Sequence, residues 1–210
     1  MSTLKTITDF KSKLAGGGAR PNLFEVEMTF PDDLGITWDQ TRQETFQFLC
    51  KAAALPASNI APIDVPFRGR ILKVAGDRTF DTWTVTVIND EDFQMRTAFE
   101  QWMNGISKLD NNTGATRPLS YMANAVVNQL GRGGEKGAES TIQSAGTSIK
   151  PLRTYYFDGI FPTNVSQVDL SYDSSDTIEE FTVEFQVQYW LAGKNSDTGS
   201  AADQTNTIIQ

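Results

Sequence analysis

The chain has 210 residues, 39% hydrophobic and 21% charged, which suits one domain with a packed core, or one domain with long arms. Its formal charge of −8 and the lack of any concentrated basic run argue against a grip on nucleic acid through phosphates. With no histidine and a single cysteine, Cys50, the chain excludes Ser-His-Asp and Cys-His catalysis, an intrachain disulfide and a thiolate metal cluster of its own.

Residues 1–20 read as an N-terminal arm. A short amphipathic piece carries Leu4, Ile7, Phe10, Lys11 and Leu14 and ends in Gly16-Gly17-Gly18, a break of high chain entropy. The segment MSTLKTITDFKSKLAGGG lacks the continuous apolar core of a signal peptide, and no run approaches a membrane span. The expectation is synthesis in a cytoplasm, with no membrane anchor.

Pro21 opens NLFEVEMTF, a first strand with Phe24, Val26 and Met28 on one face. Residues 31–43, PDDLGITWDQTRQ, read as a polar, turn-rich hairpin connection. ETFQFLCKA follows as a second strand that stops at Leu55-Pro56, with Cys50 as a small buried hydrophobe. APIDVPFRG and RILKVAG are two extended pieces joined near Gly69. Pro62 and Pro66 suit an edge or bulged strand, since neither supplies an N–H to a ladder. In AGDRTFDTW, Gly76 and Asp77 read as a turn feeding the strand of Trp83, Val85 and Val87.

Residues 90–109 carry a helical stripe of Met95, Phe99, Trp102, Met103 and Ile106, with Asn89 or Asp90 as cap and Glu91 and Asp92 in the first turn. This helix is expected to lie across a sheet. Residues 110–119 are turn-like and YMANAVVNQL (121–130) reads as a strand. The Gly- and Ser-rich residues 131–150 read as a flexible loop. TYYFDGIFPTN is a strand running into a proline turn. VSQVDLSYD and IEEFTVEFQVQYW have the clearest alternation, the latter with Phe181, Val183, Phe185, Val187 and Tyr189 on one face and Glu180, Thr182, Glu184, Gln186 and Gln188 on the other. Residues 193–210 form a polar C-terminal tail. The fold expected is mainly β: an antiparallel sandwich or barrel over 21–192 with one flanking helix, extended loops and an arm at each end.

No motif carries chemistry. GRGGEKG lacks the spacing of a phosphate loop, and DNNTGAT lacks the glutamate that completes a calcium loop. Glu180 and Glu184, two pleats apart, permit a carbohydrate-active site only in outline; a solvated acidic face explains them without a buried acid. Between Pro151 and Trp190 the only basic residue is Arg153, against Asp158, Asp169, Asp173, Asp176, Glu179, Glu180 and Glu184.

The runs ARPNLFEVEMTF, FLCKAAALPASNI, VAGDRTFDTWTVTVINDEDFQMRTAFEQW and FPTNVSQVDLSYDSSDTIEEFTVEFQVQYW resemble, in order and spacing, the tail tube proteins of contractile-tailed, T-even-like bacteriophages. The likeness covers most of residues 19–190. It implies a tail-tube fold shared with injection-system tubes, and a structural, non-enzymatic virion subunit, made in the bacterial cytoplasm, that needs no cofactor or metal. Six copies would form a ring, and stacked rings a conduit for DNA ejection. A baseplate tube initiator or the inner tube of a bacterial injection system are the alternatives. The implied partners are further copies, the sheath, baseplate and tail-terminator proteins, a tape-measure protein in the lumen, and DNA in passing. On this reading Glu180 and Glu184 line the lumen and repel phosphate. Asp77, Arg78 and Asp81 form a subunit contact, Arg78 being the group best suited to a neighbour's carboxylate. The 31–43 connection, the 131–150 loop and the residues beyond Trp190 look longer than the family's pattern.

Overall fold

The structure, a computed structural model, describes residues 6–14, 18–131, 151–173 and 176–193. The flexible loop expected over 131–150 and the tail over 193–210 therefore lie almost wholly outside the described residues.

The elements in chain order are α1 (Ile7–Lys13), β1 (Phe24–Met28), α2 (Gln40–Leu49), β2 (Cys50–Ala54), β3 (Ser58–Phe67), β4 (Arg70–Phe80), β5 (Trp83–Ile88), α3 (Gln94–Ile106), β6 (Ala123–Leu130), β7 (Pro151–Val165), β8 (Glu180–Gln186) and β9 (Tyr189–Gly193). Seven strands make one sheet in the order β1-β6-β7-β8-β5-β2, with β9 pairing β7 off that path. β3 and β4 make a separate two-stranded sheet. The β2–β5, β5–β8, β7–β8 and β3–β4 pairings are antiparallel. The mainly β, antiparallel expectation holds, with three helices among the described residues where one was expected.

The described residues gather into two compact units, one from those within Met1–Glu25, Val127–Thr154 and Ala192–Gln210, the other from those within Val26–Val126 and Tyr155–Leu191. In the first, the Leu130 amide donates to the Leu23 carbonyl at 2.9 Å, and the Gln129 amide donates to the Arg20 and Leu23 carbonyls at 2.7 and 2.9 Å. Buried Thr154 donates to Asn128 Oδ1 at 2.9 Å, which satisfies a hydroxyl that would otherwise be costly to bury. In the second, strict alternation on β5 and β8 buries Trp83, Val85 and Val87 beside Phe181, Val183 and Phe185. α3 lays Met95, Ala98, Phe99 and Trp102 on that face. Phe99 meets Phe181 and Phe185 edge-on at 6.2 and 5.9 Å, the arrangement that ring quadrupoles prefer. Trp102 donates its indole N–H to the Tyr121 carbonyl at 2.7 Å.

Six local expectations need correction. ETFQFL is helix, not strand, and 31–43 is no hairpin connection, since α2 starts at Gln40 and β1 and β2 stand at opposite ends of the sheet order. The Asp39 carboxylate caps the Arg42 amide at 2.9 Å, and Phe46 is the buried residue of α2, meeting Trp38 and Phe99. The alternation of aromatic residues in TFQFLC imitated a strand, and local capping overrode it. Helix α3 starts at Gln94 behind Phe93, which holds φ 52° with no side-chain cap; Asn89 instead bonds Glu179, so Glu91 and Asp92 precede the helix. Pro162 does not end its strand. β7 runs through it to Val165, pairs Pro162 with Phe185, and shifts register before Asn164. Residues 166–170 are not strand: the alternation of VSQVDLSYD has no buried face to serve, and Leu170 and Tyr172 are fully solvent-facing. Finally, the strand that begins at Glu180 breaks at a bend after Val187, so Tyr189 leaves the core face and its hydroxyl bonds Asp158.

Candidate assembly interface

β3 and β4 are joined by Arg68-Gly69, with φ 45° and 81°, the two left-handed residues of a tight hairpin turn. Register places Ile63 opposite Val74, Val65 opposite Leu72 and Phe67 opposite Arg70 on one face. On the other stand Asp64 opposite Lys73, an ion pair at 3.4 Å, and Pro66 opposite Ile71. The hairpin is therefore amphipathic, as a strand packed on a core would be. No residue of β3 is buried, and Ile63, Val65, Phe67, Leu72 and Val74 are 42–67% exposed. An isolated two-stranded sheet is marginal in water, and a contiguous apolar face of this kind marks an interaction surface.

Gly76 and Asp77 sit inside β4, not in a turn. Between the Ile60–Arg78 and Pro62–Ala75 pairs the register shifts, leaving Gly76 and Asp77 together opposite Ala61. A Cβ on Gly76 would stand 2.6 Å from the Ala61 carbonyl oxygen, so the backbones meet there only because residue 76 has no side chain. The turn into β5 is at Asp81-Thr82. The Asp81 amide donates to the Ala57 carbonyl at 3.1 Å, and its carboxylate accepts from Asn59 Nδ2 at 2.9 Å. Asp81 thus ties the base of the hairpin, whereas Asp77 and Arg78 are exposed with no ion pair among the described residues. Phe80 meets the Trp190 ring edge-on at 6.3 Å and anchors the same base.

Glu180 and Glu184 stand on the face of β8 turned away from α3, opposite Ile88 and Thr84 of β5. Glu180 is not a free carboxylate, because Lys51 Nζ lies 2.5 Å from its Oε1. Around Glu184 the face is rich in hydroxyls: Thr84, Thr86 and Thr182 are half-buried in adjacent register. Two features escaped the sequence reading. The Asn59–Asp81 bond needs two residues 22 apart to meet across a hairpin, and the Lys51–Glu180 pair spans 129 positions. Neither has a local signal. Cys50 is buried as expected, and burial pushes its thiol up to about 12. Among the described residues no group of three or more Cys, Asp or Glu side chains is placed to hold a metal ion.

Residues 19–193 match the phage tail tube protein family. The tail tube protein gp19 of Enterobacteria phage T4 is 38% identical over 176 residues, covering 84% of this chain and 93% of that protein. The tail tube protein of Serratia phage KSP90 is 24% identical over 185 residues, covering 87% and 94%. Among solved structures, a chain of the anti-feeding prophage baseplate, 6-fold symmetrised, superposes with a TM-score of 0.59 at 13% identity, covering 84% of this chain and 96% of its own length. A chain of the sheath-tube complex of an extracellular contractile injection system in the extended state superposes at 0.54 and 14%, covering 88% and 97%. At such identities the superpositions establish the fold. The sequence relatives go further: this chain belongs to the phage tail tube protein family.

Proposed function

We propose that the chain is a structural subunit of the inner tail tube of a contractile phage tail, made in the host cytoplasm and resident in the virion. Copies close into hexameric rings, and rings stack into the conduit through which DNA leaves. The observation that carries this reading is the β3–β4 hairpin. It places an amphipathic pattern on a face that nothing among the described residues covers, which suits a surface completed by a second copy. The seven-stranded sheet also ends on β1 and β2, two edges that pairing around a ring would remove. Residues 21–192 act as one tail-tube domain between two arms.

On this reading the chain is not an enzyme. Its partners are further copies, the sheath around them, baseplate and terminator proteins at the two ends, and a tape-measure protein in the lumen during assembly. The hydroxyl-rich face bearing Glu180 and Glu184 lines the lumen. With Glu180 neutralised by Lys51, Glu184 supplies the repulsion, and the threonines offer DNA no cation to stick to. Asp77 and Arg78 meet a neighbouring subunit, while Asp81 acts through Asn59 by holding the hairpin at its base.

Electron microscopy of the purified chain tests this. Rings or tubes with a central hole are expected, and a species that stays monomeric at high concentration would sink the proposal. Open-ended growth separates a tube subunit from a baseplate initiator, which would stop at capped rings. Arg78→Ala should weaken tube formation while leaving the melting temperature of the subunit unchanged; undiminished polymerisation would remove Arg78 from the contact.

A further inference from the structure

The family match begins at residue 19, and before it stands a helix that nothing among the described residues covers. α1 is held locally: Asp9 accepts from the Thr6 amide at 3.0 Å while Thr6 Oγ1 accepts from the Asp9 amide at 3.3 Å. At ~100° per residue, Ile7, Phe10 and Leu14 fall within about 60° of one another. Lys11 and Lys13 flank that stripe on either side, and Thr8, Asp9 and Ser12 lie opposite it. The three stripe residues are 46–69% exposed, and α1 buries no residue at all. A helix of seven residues is too short to persist in water on capping alone, so its apolar face calls for a partner.

Charge narrows the choice of partner. Residues 1–20 hold four cationic side chains and one acid, whereas the rest of the chain holds fourteen and twenty-five. The surface best matched to a basic, apolar helix is on the chain itself. Val168–Ser171 and Thr177–Glu180 line an open cleft of about 280 Å³. Val168, Leu170 and Ile178 give it apolar walls, and Asp169 and Glu179 give it an acidic rim. Leu170 and Ile178 are largely exposed, and no Lys or Arg occurs between Arg153 and Lys194.

We infer that α1 of one copy seats its Ile7–Phe10–Leu14 stripe in the Val168–Leu170–Ile178 cleft of another copy, with Lys11 and Lys13 facing the acidic rim. The inference rests on the reading that copies assemble, and adds a fastener outside the family's shared span. Apolar contact supplies attraction, and opposite charges set the register and reject like surfaces.

Two full-length preparations, Lys13→Cys and Asp169→Cys, are mixed, assembled and oxidised. A disulfide-linked dimer containing one chain of each kind is expected, with buried Cys50 silent in the unsubstituted control. Lys11→Glu/Lys13→Glu should raise the concentration for half-maximal assembly about tenfold, the scale of two or three surface ion pairs. Asp169→Lys/Glu179→Lys should do the same, and a chain carrying all four changes should recover to within about threefold of the original. Tubes that form with no mixed disulfide and no response to either charge reversal overturn the inference while leaving the tube reading intact. If the unsubstituted chain does not assemble, both fall. A disulfide that forms only within a doubly substituted chain also overturns it. So does binding to anionic phosphatidylserine vesicles that the lysine reversals abolish without touching assembly.

Discussion

β5 and β8 on one side, and β3 and β4 on the other, are written in the same alternating code and meet opposite fates. Trp83-Val85-Val87 and Phe181-Val183-Phe185 vanish under α3, whereas Ile63-Val65-Phe67 and Leu72-Val74 stand in water. Period-two alternation states only that one face will be covered; it does not say by which chain. In a protein that completes itself by assembly, an amphipathic strand left bare is information about a neighbour.

The comparison is broken most violently from the buried side. Phe99→Ala removes the ring that joins α2, α3 and β8 and should cost about 3–5 kcal/mol, enough to unfold much of a marginal subunit; thermal denaturation followed by circular dichroism reads it. Gly76→Ala comes next. Its Cβ would collide with the Ala61 carbonyl, so the hairpin should loosen by about 1–3 kcal/mol, seen as faster amide exchange in β3 and β4 while β5 and β8 keep their protection. Cys50 reports the buried side through pH. Burial pushes its thiol from an ordinary 9.0 up to about 12, so the folded state keeps the proton longer than the unfolded chain. The resulting stability is whole below about pH 9 and is lost as pH climbs toward 12, at up to about 1.4 kcal/mol per pH unit. Urea midpoints across that range should fall accordingly, and Cys50→Ala should flatten the slope. Smallest in the monomer is Val65→Asp with Leu72→Asp. Both sites are exposed, so subunit stability should change by about 0.5 kcal/mol or less, yet sedimentation should find no tubes. A large loss of subunit stability there would mean that the chain covers its own hairpin.

What could be read beforehand follows the same division. Long periodic segments announced themselves: α3, β5 and β8 through their stripes, the hairpin through Gly69 and its two prolines. Reading failed where a short pattern was decided from outside it. TFQFLC alternates like a strand, but the Asp39 cap and the burial of Phe46 made it helix. VSQVDLSYD alternates equally well and stayed irregular because no face was waiting for it. The family likeness rests on blocks of residues and is legible in the sequence alone. The contacts among them, such as Asn59 with Asp81 or Lys51 with Glu180, exist only after folding.

Pro62 and Pro66 occupy the same phase of β3, four residues apart, and neither has an N–H to offer. A bare, apolar, extended hairpin made in bulk inside a host cell is a natural seed for runaway stacking. The prolines interrupt the row of donors that an incoming strand would need, so a stray copy finds grease but no ladder. Copies are then left to join through faces that match in shape, not through indiscriminate strand pairing. Replacing both prolines with valine would trade that selectivity for fibres.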